Sequence, residues 1–161
     1  MSTHKSSQTT AAEPTHVLGV LTDPAACGRW APIAFTTDHA RSERLQAGTR
    51  TTLEGRVAGR NISFEIEVLA AGDRGLSLCA SGPVRLDVDY RLTPAVPGTL
   101  IDAQITVTQA GGITGAVVAR VTNAMLGAGA LRFALRAIAA EAEQLQPHHI
   151  ERNTTNALAC A

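Results

Sequence analysis

Residues 111–145 read GGITGAVVARVTNAMLGAGALRFALRAIAAEAEQL. Apolar side chains recur there at Val117, Val118, Val121, Met125, Ala128, Leu131, Leu135, Ile138, Ala142 and Leu145, mostly three or four apart, the spacing that lines one face of a helix. Arg120, Arg132, Arg136, Glu141 and Glu143 take the remaining faces. An unbroken helix here would run about 50 Å, whereas strands of nine or ten residues reach only about 30 Å. A break is therefore expected, and Gly127 and Gly129 are the cheapest place for it, because glycine costs roughly 1 kcal/mol relative to alanine inside a helix. Two readings of the pair stay open: close packing of the helix on the layer beneath it, and a hinge that makes the segment before it a movable wall of a ligand-binding mouth.

The layer beneath is a run of alternating strands. Leu53 and Val57 oppose Glu54 and Arg56, and Ile62, Phe64, Ile66 and Val68 oppose Asn61, Ser63, Glu65 and Glu67. The alternation continues through Leu76, Leu78 and Ala80, through Val84, Leu86, Val88, Tyr90 and Leu92 against Arg85, Asp87, Asp89 and Arg91, and through Ile101, Ala103, Ile105 and Val107. This period of two marks antiparallel strands with one wet face and one dry face. Turn signals at 46–48, 58–60, 71–75, 81–83 and 94–98 join neighbours into a meander, whose twisted dry face needs a cover that the long helix supplies.

Upstream, residues 1–12 are rich in serine and threonine with scarcely an apolar side chain, and read as a partly ordered segment or a weak first strand. Pro14 suits the first turn of a short helix carrying His16, Val17, Val20 and Leu21, and Asp23 is placed to cap a second one starting at Pro24. Trp30, the only tryptophan, ends that helix as a core anchor or as a flank of a cavity mouth. Ile33 to Phe35 open the strands, and Pro147 stops the last helix, leaving 147–161 as a polar, disordered tail.

Composition narrows the functions. With 161 residues the chain supports one core, spanning 13–146. Fourteen bases balance fourteen acids, so the electrostatic footprint of a nucleic-acid binder is missing. Arg120, Arg132 and Arg136 interrupt the longest apolar run, so no membrane span is expected. The polar N-terminus lacks a secretory signal, and Cys27, Cys79 and Cys160 fit neither a disulfide framework nor a zinc cluster, which together predict reduced thiols in the cytoplasm. His148-His149 reads as solvated tail rather than a metal site, and no cofactor motif stands out. Oligomeric state is not legible.

Several short motifs, in order, resemble one family. Asp23-Pro24 followed by Arg29-Trp30, then Ala47-Gly48-Thr49, then Tyr90-Arg91-Leu92-Thr93-Pro94 with Gly98-Thr99, and the terminal helix through Ala140-Glu141 are similar to the polyketide cyclase/dehydrase and START-like superfamily, also called Bet v 1-like or SRPBCC, which includes lipid-transport proteins. The likeness spans about Glu13 to Gln144, and departs at Thr3–Thr10, where the expected apolar alternation of a first strand is missing. It implies an α+β helix-grip fold: a curved antiparallel sheet wrapped around a long C-terminal helix, two short helices after the first strand, and a cavity that takes hydrophobic small molecules or, in some members, cyclises polyketide chains.

If the apolar parity faces inward, Glu65, Glu67, Arg85, Asp87, Asp89 and Arg91 face solvent, the last four as a ladder of opposite charges. The inner wall is then predicted to comprise Trp30, Phe64, Ile66, Leu86, Val88, Tyr90, Val121, Asn123 and Met125. For chemistry the sequence offers Tyr90, the sole tyrosine, and Arg120, with His16 and His39 as bases by residue type alone. Three functions follow: binding of a lipid- or polyketide-like molecule, cyclase or aromatase chemistry in the same hollow, or an interaction adaptor with a filled core.

Overall fold

A computed structural model describes residues 1–31, 35–37, 43–57, 59–109 and 111–146. Its elements run β1 (Ser2–Thr10), α1 (Pro14–Thr22), α2 (Pro24–Trp30), β2 (Phe35–Thr37), β3 (Arg50–Val57), β4 (Arg60–Gly72), β5 (Gly75–Ser81), β6 (Val84–Ala95), β7 (Gly98–Gln109), α3 (Ile113–Gly127) and α4 (Ala130–Leu145). The seven strands pair in the order β1-β7-β6-β5-β4-β3-β2, antiparallel throughout. From β2 to β7 the chain is a meander, while α1 and α2 carry it from the β1 edge across to the β2 edge. A register shift between Val68 and Ala70 bends β4 and turns Leu69 outward.

The N-terminal strand is firmer than its composition suggests. All nine residues of β1 pair with β7, and two of its inward side chains, His4 and Thr10, meet polar groups on the helices. Thr10 Oγ1 donates to Glu143 Oε1 of α4 at 2.8 Å, and the Ala11 amide donates to the same oxygen at 3.0 Å. Hydrogen bonds to a carboxylate thus do what apolar alternation does in the other strands.

Asp23 caps α2 as expected, accepting from the Ala25 amide at 2.9 Å. Arg29 Nε then donates to Glu141 Oε1 at 2.6 Å, tying α2 to α4. The C-terminal helical segment breaks where the glycines stand: α3 ends at Gly127, and Gly129, with φ 102°, starts α4. That backbone angle is open to glycine at little cost, so the chain changes direction there.

The helical face was only half legible. On α4, Leu131, Leu135, Ile138 and Ala142 are buried as the spacing predicts, but Leu145 is exposed. On α3 Val118 is buried as the spacing predicts and Val121 packs against the same cluster, but the other buried residues are Gly115 and Ala119 and Val117 is 49 % exposed, so the contact face is only partly the one marked by hydrophobicity. Small residues win that face because they let the helix approach β6 and β7 closely.

Two apolar clusters result. One joins α1, α2 and α4 to the sheet around Val68, Tyr90, Ile101 and Ile138, and the other lies under α3 around Ile62, Phe64, Val84 and Val107. The polar tail predicted for 147–161, with His148-His149, lies outside the described residues, as do Ile33 and His39.

Candidate functional site

Between the two clusters the layers do not close. The sheet, α2, the segment before β3 and the second half of α3 enclose a cavity of about 750 Å³. That volume lies within the range of about 300–1,000 Å³ typical of small-molecule sites. Cross-strand register builds its floor: Leu78 pairs with Val88, Ala80 with Leu86, and Val88 with Ile105, and all five side chains line the hollow. The floor is therefore aliphatic because three adjacent strands present the same parity at the same level.

Tyr90 ends this floor toward α2. It is 6 % exposed, and Trp30 packs on it edge to face. At Gly75, φ is 139° and a side chain would collide with the Tyr90 carbonyl oxygen, 1.8 Å from the ideal Cβ position, so glycine alone lets β5 lie this close behind Tyr90. Burial, and then the nearby Cys27, push the Tyr90 phenol well above its ordinary range, so it stays a neutral O–H donor. Burial likewise pushes the Cys27 thiol up to about 11, helped by the Asp23 carboxylate. The Trp30 indole Nε1 is buried without a hydrogen-bond partner among the described residues.

Of the residues the sequence marks for this wall, Trp30, Ile66, Leu86, Val88 and Tyr90 line the cavity. Phe64 belongs to the packed cluster under α3, and Val121 packs against that same cluster. Asn123 is drawn the other way, its Oδ1 3.0 Å from His4 Nε2 on β1, and Met125 is half-buried away from the hollow. From α3 the lining residues are instead Thr122 and Leu126, four apart and one step round the helix from the predicted face. Arg120 is exposed and outside the cavity. The His16 ring lies outside it too, with Nδ1 buried and unpartnered among the described residues.

The charges keep to the outside. Glu65, Arg85, Asp89 and Arg91 are exposed. The expected ladder reduces to one pair, Arg85 with Asp87 at 3.2 Å, while Asp89 accepts from Ser77. At the rim, Glu43 and Arg50 are exposed, and Arg50 pairs with Glu67 at 2.9 Å. Among the described residues, no helix is long and apolar enough to cross a membrane.

No family model matches the chain, and no curated protein does. Solved structures do. Protein CV1439 from Chromobacterium violaceum superposes with a TM-score of 0.65 at 16% identity, covering 88% of this chain and 96% of that one. TTHA0849 from Thermus thermophilus gives 0.66 at 14% identity over 90% and 99%, and Ara h 8.0201 gives 0.58 at 13% over 89% and 98%. At such identities the likeness is one of architecture: the chain has a helix-grip, Bet v 1-like fold.

Proposed function

We propose that this protein binds an apolar small molecule, lipid- or polyketide-like, in the cavity between the sheet and the C-terminal helices, and holds it without chemical change. The observation that carries the reading is the 750 Å³ hollow with a floor of Leu78, Ala80, Leu86, Val88 and Ile105. Affinity would come from removing ligand and wall from water at roughly 25 cal/mol per Å² of apolar surface. A filled-core adaptor has no use for such a space. A cyclase would need a base facing an acid across the substrate, and among the described residues the candidates Arg120 and His16 stand outside the cavity. Membership of the START-like superfamily and a cytoplasmic setting belong to the same proposal, supported by the ordered motifs and by the free thiols of Cys27 and Cys79.

The test is native mass spectrometry of the purified protein for a retained ligand, followed by titration of delipidated protein with the neutral fluorophore N-phenyl-1-naphthylamine. Saturable one-to-one uptake is expected. Absence of both a retained ligand and dye uptake would overturn the reading.

A further inference from the structure

The cavity is not uniformly apolar, and the polar group at its Tyr90 end constrains the ligand. Tyr90 lines it, and none of the hydrogen bonds of the described residues uses the Tyr90 hydroxyl. A hydroxyl facing the hollow that an occupant covers without pairing costs on the order of 1–3 kcal/mol, so an occupant that pairs it gains over one that does not. Trp30, its ring 6.1 Å away, closes the wall beside it with its own Nε1 buried out of reach of an occupant. A phenol that keeps its proton is most useful as a donor. An unpaired donor in the wall asks for an acceptor.

Charge tells against an ionised ligand. Among the described lining residues the charged ones are Glu43 and Arg50, both exposed at the rim, with Arg50 already paired to Glu67. A carboxylate or an ammonium carried to the Tyr90 end would lose its hydration and find no opposite charge there among the described residues.

Building on the binding role proposed above, we infer that the ligand is an uncharged, largely apolar molecule with a carbonyl-type oxygen at one end, seated with that oxygen at the Tyr90 hydroxyl beside Trp30 and its hydrocarbon body over Leu86 and Val88.

Three naphthalenes of one shape test this by displacement of N-phenyl-1-naphthylamine: 2-acetylnaphthalene, 2-ethylnaphthalene and 2-naphthoate. In the native protein 2-acetylnaphthalene should bind at least about ten-fold more tightly than 2-naphthoate at neutral pH. On Tyr90→Phe the ratio of ketone to hydrocarbon affinity should fall by about five- to ten-fold, the size of one lost hydrogen bond. A measurement on the unaltered protein stands beside the variant: the carbonyl carbon-13 resonance of labelled 2-acetylnaphthalene should move downfield on binding relative to its position in hexane. An unmoved resonance, a ratio unchanged by Tyr90→Phe, or naphthoate binding as tight as the ketone overturns the inference while leaving the cavity's binding role standing. Failure of the fluorophore to bind at all overturns both.

Discussion

The rings of Trp30 and Tyr90 meet edge to face, 82° apart in plane. This contact joins the end of α2 to the middle of β6, and it puts the chain's only tryptophan on the wall of the cavity. Energy absorbed by Trp30 should therefore pass to N-phenyl-1-naphthylamine bound within the hollow. Trp30 emission is expected to fall as dye emission rises, with the same saturation point. Dye emission that rises with Trp30 emission unchanged would place the dye on an outer surface.

Gly127 and Gly129 sit two residues apart and should answer to mutation in opposite senses. Gly127 closes α3 with open space around it, so Gly127→Ala should leave stability unchanged or raise it by up to about 1 kcal/mol. Gly129 has φ 102°, where any side chain is strained, and Gly129→Ala should cost about 1–2 kcal/mol in urea denaturation. Equal effects at the two sites would mean that the turn between α3 and α4 is not built on the backbone angle of Gly129.

Asn123 is expected on the cavity wall, yet its amide oxygen faces His4 at 3.0 Å. Asn123→Ala should remove one neutral hydrogen bond, worth about 0.5–1.5 kcal/mol, and loosen α3 from β1. Affinity for the naphthylamine dye should hold within about two-fold, since no cavity contact worth a larger change is lost. Slower exchange of the β1 amides in the variant than in the native protein would contradict the proposed link between these elements.

Alternation made the sheet readable from sequence, because period two leaves little choice about which side chains share a face. It also found Ile66, Leu86, Val88 and Tyr90. Leu78, Ala80 and Ile105 have the same parity, but that they lie level with Leu86 and Val88 is set by strand register, which the turn signals alone leave open. On α3 the signal misled for a different reason. Hydrophobicity marks Val117, Val118 and Val121, of which Val118 is buried as marked, but close approach to the sheet also selects Gly115 and Ala119, and a cavity wall tolerates Thr122. β1 was hardest to see, since its inner face is satisfied by hydrogen bonds from Thr10 and His4 rather than by burial of apolar groups.

Alkaline pH should destabilise the fold through Cys27. The unfolded thiol loses its proton near 9.0, while in the folded protein burial, aided by Asp23, holds the proton until about 11. Between these values the folded state binds more protons than the unfolded one, so stability is full below the lower value and declines as pH rises through the window. A loss on the order of 2 kcal/mol is expected across it. Urea midpoints at neutral and alkaline pH should fall further for the native protein than for Cys27→Ala. Parallel slopes would show that Cys27 ionises as freely in the folded state as in the unfolded chain.

Ala80 separates a hollow from a packed interior. It is 4 % exposed, pairs with Leu86 across β5 and β6, and lines the cavity. In a filled core, Ala80→Leu would force neighbours off their rotamers and cost about 1–3 kcal/mol. Here the added carbons enter empty space and remove apolar surface from contact with water, for a gain of up to about 1 kcal/mol. The same carbons occupy volume that a ligand needs. Stability and affinity should therefore move in opposite directions, the urea midpoint rising while uptake of N-phenyl-1-naphthylamine weakens. A midpoint that falls with dye uptake unaltered would mean that the side chain meets a packed wall, and that the ligand, if there is one, sits elsewhere.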